Sequence, residues 1–138
     1  SVGKYYHLKD FGEALTKFGV KYKLIHETDY VVGFPTKQLR KYFSSKKKFQ
    51  KLISEFKPDA VLVDRQSYFG LQIIKIGIPL FVLLRGNHWS EIKFAKDTIY
   101  KGKVMRKVLD MRADVAEKVF AGATVILPIC NAFISATR

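Results

Sequence analysis

Apolar residues in this chain fall into two patterns: short unbroken runs, and longer segments with a three-to-four-residue repeat. Ala60–Val63 and Leu80–Leu84 are runs of four and five residues rich in Val, Leu and Phe. Runs of that length, bounded by turn residues, predict strands buried on both faces, as in a parallel sheet. Between them Tyr68 to Ile76 suits a short helix, with Gly77 placed to stop it. Strand, helix and strand make a βαβ unit with a right-handed crossover. The first strand opens into Asp64, Arg65, Gln66 and Ser67, the second into Arg85, Gly86, Asn87, His88 and Trp89. Ligands of open α/β sheets lie beyond the carboxyl ends of the strands, so these two loops are where function is sought.

The remaining elements follow from the same reading. Leu8, Phe11, Leu15 and Phe18 recur on one helical face, Gly19 ends that helix, and Tyr22–His26 reads as a strand. The chain thus begins on a helix where a doubly wound sheet would begin on a strand, and a first strand is expected to be missing from it. Thr28 to Thr36 reads as a loop, with a short extended piece at Tyr30–Val32. Thr36 then caps a long helix to about Phe56, with Leu39, Tyr42, Phe43, Phe49, Leu52, Ile53 and Phe56 on its apolar face and a kink or break near Ser44–Ser45. Ser90–Tyr100 suits a short helix and Gly102 a break. Val104, Val108, Met111, Val115 and Val119 mark a helix to about Phe120, with Gly122 as its stop. Ala123–Leu127 is another buried strand, Pro128 follows it, and Asn131 can cap one more helix.

At 138 residues the chain is read as one α/β domain, residues 1–138. No run approaches the length of a transmembrane helix. Its single cysteine, Cys130, excludes an internal disulfide framework and fits a reducing, cytoplasmic setting. The net charge of +13 is unevenly spread: residues 37–57 carry eight basic side chains against one acidic. Lys37, Arg40, Lys41, Lys46, Lys47, Lys48 and Lys51 therefore form a patch that attracts anions, whether lipid headgroups, nucleic acid or a phosphorylated substrate. The alternative is a solvated helix face. No known nucleic-acid-binding motif is present, so charge alone speaks for nucleic acid, which is not the partner expected. No His/Cys/Asp/Glu cluster has metal-ligand spacing, and no metal is expected.

The order of elements resembles the N-terminal, acceptor-side Rossmann-like domain of GT-B glycosyltransferases, of the large retaining class called group 1 or family 4. Gly3 through Gly19 looks like the glycine loop and first helix, although Val20 stands where the family usually has a histidine. Lys57–Val63 (KPDAVLV) looks like the Pro-Asp-hydrophobic strand, and Gly77–Gly86 (GIPLFVLLRG) like the Gly-hydrophobic-Pro strand that leads to a His-Gly-type loop. Ala121–Asn131 (AGATVILPICN) resembles the Ala-Asp-hydrophobic-Ser segment, with Gly122 for Asp and Cys130 near Ser. The resemblance implies an open, mostly parallel Rossmann-like sheet with helices on both faces. It also implies the acceptor-binding half of a sugar-nucleotide-dependent glycosyltransferase, acting on a lipid-linked, polysaccharide or small-molecule acceptor. The domain itself would hold no cofactor. A nucleotide-sugar donor would bind a further C-terminal domain, whose Glu-x7-Glu motif is absent here, so the chain alone would not turn over. Location at the inner face of the membrane is the matching expectation. A natural one-domain subunit that recruits a catalytic partner is the alternative.

His88 suits proton transfer or donation to a phosphate or sugar hydroxyl, and otherwise simply packs beside Trp89. Asp64 either takes a proton from an acceptor hydroxyl or orients Arg65. Arg85 either binds a diphosphate bidentately or pairs with Asp64 or Glu91. Gly3 suits close approach of a phosphate to a helix N-terminus, and Gln66 and Asn87 complete the substrate-binding set with Arg65 and Glu91.

Overall fold

The computed structural model of the chain describes residues 3–25, 39–65 and 68–128. In chain order these form α1 (Gly3–Lys17), α2 (Leu39–Phe56), β1 (Val61–Asp64), α3 (Tyr68–Ile76), β2 (Leu80–Leu84), α4 (His88–Phe94), α5 (Lys103–Gly122) and β3 (Val125–Pro128). A π-helical turn, Ala95–Ile99, follows α4. The sheet has three parallel strands in the order β1-β2-β3, so both crossovers step in the same direction. Crossovers of one hand that step the same way set their helices on the same face, and α3 and α5 do pack together.

One face of the sheet carries the core. Leu80, Val82 and Leu84 alternate inward along β2 and are fully buried. Leu80 and Val82 gather with Phe49 and Leu52 of α2, Phe69 and Ile73 of α3, and Val119 of α5. Phe49 and Phe69 stack with ring centroids 4.2 Å apart, which joins α2 to α3. On the opposite face the register sets Leu62, Phe81 and Val125 side by side, with Leu83 and Leu127 in the next row. Leu62, Val125 and Leu127 are exposed there, and Phe81 and Leu83 are half-buried. The expectation of helices on both faces is therefore met on one face among the described residues.

Glycine endings were well placed by the sequence. Gly19 (φ 67°) and Gly77 (φ 80°) close α1 and α3 in the left-handed conformation. Lys57 (φ 49°) does the same for α2 without being glycine. Other expectations change. α2 runs unbroken past Ser44–Ser45, because Lys47 and Lys48 face solvent while Phe49 turns inward. β3 begins two residues later than Ala123 and takes in Pro128, which pairs with Leu84 at the sheet's outer strand, where a missing N–H costs least. Tyr22–Ile25 forms no strand. These residues lie instead against α1, where the Thr16 hydroxyl donates to Tyr22 Oη at 3.3 Å, and Ile25 packs on the core. The Lys21 ammonium sits 5.6 Å above the Phe56 ring, tying that segment to the end of α2. His26, the Thr28–Thr36 loop and the helix expected after Asn131 lie outside the described residues.

Candidate functional site

The carboxyl ends of β1 and β2 stand side by side because the strands are parallel and paired from Val61↔Leu80 to Asp64↔Leu83. Arg85 lies two residues beyond Leu83, so it reaches diagonally across to Asp64 on the open face of the sheet. Arg85 Nε lies 2.8 Å from Asp64 Oδ1, forming an ion pair. Of the pairings open to Arg85 from the sequence, the structure selects Asp64. Arg65 departs from the strand in a left-handed conformation (φ 70°) while its N–H still donates to Leu83 O at 3.0 Å. That backbone bend carries its guanidinium to Glu91, with Nη1 3.9 Å from Oε2. Asp64 thus holds Arg85, and Arg65 is held by a carboxylate from a different element.

Glu91 is brought over by α4. Asn87 caps this helix, its Oδ1 accepting from Ser90 N–H at 3.0 Å, and Glu91 N–H donates to Asn87 O at 3.0 Å. A carboxylate in the first turn also suits the helix dipole. A Cβ at Gly86 would stand 2.7 Å from Glu91 Oε1, so the glycine is what admits that carboxylate to the loop. The sequence reading passed over Gly86 as a site residue, and a single loop glycine gave no signal of this approach.

His88 begins α4 with its imidazole turned inward and buried. It packs edge-on against Trp89 and Phe120, ring centroids 6.2 and 6.4 Å away, while Trp89 and Phe120 lie 5.3 Å apart. Burial lowers its pKa, the Glu91 carboxylate opposes that shift and the Arg65 guanidinium adds to it. The imidazole is accordingly neutral at neutral pH, one residue behind the Asn87 cap.

The remaining candidates are dispersed. Gly3 is the first residue of α1 rather than part of a preceding loop. Gln66 and Lys37 lie outside the described residues, and Arg40 and Lys41 fall in the first turn of α2. Lys47, Lys48 and Lys51 are exposed along α2, Lys46 is half-buried beside the apolar face, and Lys51 pairs with Glu55 at 3.6 Å. Among the described residues no group of three or more His, Cys, Asp or Glu could hold a metal ion, and no helix is long and apolar enough to cross a membrane.

The structure brings together Asp64, Arg65, Arg85, Asn87 and Glu91. Two guanidinium groups and two carboxylates, each partly open to solvent, face one another across adjacent strand ends. Such a cluster offers several donors and several acceptors within one small area and carries no excess charge. It is better matched to a ligand rich in hydroxyls, which both donate and accept, than to a bare phosphate. No protein-family model, curated protein or solved structure matches the chain.

Proposed function

We propose that the chain is the acceptor-binding, Rossmann-like part of a sugar-nucleotide-dependent glycosyltransferase of the GT-B type. The observation that carries this reading is the mixed cluster of Asp64, Arg65, Arg85 and Glu91 at the carboxyl ends of two adjacent parallel strands, where open α/β sheets bind ligands. The order of elements read from the sequence resembles that of the family, although Tyr22–Ile25 forms no strand. In this reading the guanidinium groups donate to acceptor hydroxyls and the carboxylates accept from them. Asp64 then receives a proton from the attacking hydroxyl, once ligand binding displaces Arg85. His88 acts as a neutral group that holds the Asn87–Trp89 turn. The nucleotide-sugar donor belongs to a further domain, so this chain transfers no sugar on its own.

Trp89, the only tryptophan, adjoins this turn and serves as a reporter. The chain is titrated with free oligosaccharides, with sugar phosphates and with a short-chain polyprenyl phosphate while Trp89 emission is followed. A saturable change with one class is expected. Arg65→Ala should weaken it about tenfold or more, since hydrogen bonds from a charged group contribute about 1.5–3 kcal/mol. Silence from all three classes overturns the acceptor reading, and so does sugar transfer by the chain alone.

A further inference from the structure

We propose that the corner between α4 and α5 is a docking surface for an anionic lipid membrane. Three apolar side chains stand out from the fold there: Phe94 and Ile99 are each 61% exposed, and Val104 is 77% exposed. Tyr100 and Met105 beside them are also exposed. Side chains of this kind are usually buried, and together they form an apolar projection that the core does not use.

The π-helical turn helps to build this projection. Tyr100 N–H donates to Ala95 O at 2.8 Å, a bond that spans five residues. In a continuous α-helix, Phe94 and Ile99 would point about 140° apart. The wider turn brings positions five apart back towards the same side, in keeping with the exposure of both Phe94 and Ile99. Gly102 then turns the chain into α5, whose first turn presents Val104.

The charge around the projection identifies its occupant. From Lys93 to Lys107 the chain carries six basic residues, Lys93, Lys96, Lys101, Lys103, Arg106 and Lys107, against Asp97 alone. Lys96 is ion-paired with Asp110 and braces the turn against α5. A second copy of the chain would oppose one basic surface to another, which works against self-association here. A nucleic-acid backbone would meet the lysines but leave the phenyl and aliphatic groups without a partner. An anionic bilayer satisfies both: apolar side chains enter the boundary between headgroups and acyl chains, and the lysines lie among the lipid phosphates. This proposal is independent of the acceptor reading, since it uses neither the strand-end cluster nor any transferase activity.

Flotation with vesicles tests it. The chain should bind vesicles of phosphatidylcholine containing phosphatidylserine, bind pure phosphatidylcholine much more weakly, and lose binding as salt is raised. Phe94→Ser/Ile99→Ser should weaken binding about tenfold or more while leaving the melting temperature unchanged, because both side chains are already in water in the folded protein. Lys101→Gln/Lys103→Gln should reduce both affinity and its salt dependence. Absence of vesicle binding at low salt overturns the proposal. So does full binding by Phe94→Ser/Ile99→Ser together with its loss in Lys47→Gln/Lys48→Gln/Lys51→Gln, which would move the contact to α2. Tighter binding to duplex DNA than to the anionic vesicles at equal salt overturns it as well.

Discussion

His88 shows how strongly its surroundings can reset a single side chain. Burial against Trp89 and Phe120 pushes its pKa down, so the unfolded chain, with the ordinary value near 6.5, binds the proton more readily than the folded one. Its contribution to stability is present above that unfolded value and is lost as pH falls towards the folded pKa. Urea midpoints should therefore decline on going from about pH 7.5 to about pH 5.5, and His88→Gln should flatten that decline. An unchanged slope in the variant would mean that the imidazole titrates alike in both states. In the sequence, His88 was one polar residue in a loop. Its neighbours in the chain could not show that it opens a helix and faces inward. Arg85 and Asp64 were legible as strand-end residues, yet their pairing depends on Asp64 standing opposite Leu83, which is a matter of register.

At the scale of elements, α3 and α5 approach closely at Gly70. A Cβ built at Gly70 would stand 2.9 Å from Val119 Cγ1 and 3.1 Å from Cγ2. Val119 is fully buried and its branched side chain is stiff, so it has nowhere to move. Gly70→Ala should improve helix propensity by about 1 kcal/mol. Overpacking of about 1–3 kcal/mol should outweigh that gain, giving a net loss in chemical denaturation. A net gain in stability would show that the two helices can separate without cost. Periodicity read α3 and β2 to the residue, because run length and glycine stops act locally. It reads Tyr22–His26 as a strand, whereas Tyr22–Ile25 forms none, since an apolar alternating run becomes a strand only where another strand is there to pair with it. The α5 stripe was also only half a core face. Val119 is buried, whereas Val104 and Met111 are exposed, and the α5 residues that join the core, Val115, Val119 and Phe120, belong to its last turns.

For the molecule as a whole, the asymmetry of the sheet sets where apolar substitutions matter. Val82 is 0% exposed on the core face, and Val125 is 38% exposed on the other. Val82→Thr should cost about 1–3 kcal/mol by burying a hydroxyl, and Val125→Thr less than about 0.5 kcal/mol, both read from urea midpoints. Equal costs would mean that the second face is as well covered as the first. The sequence by itself determined the α/β class, the parallel β1-α3-β2 unit, the ends of most helices and the identity of the charged loop residues. Hydrophobic period, glycine and proline act over a few residues, and such signals survive without any knowledge of the fold. Tertiary structure alone decided that α2, α3 and α5 share one face, that Arg85 pairs with Asp64 and Arg65 with Glu91, and that Phe94, Ile99 and Val104 remain in solvent. Each of these depends on contacts between residues far apart in the chain, and a local apolar pattern states that a side chain can be buried without stating what will bury it.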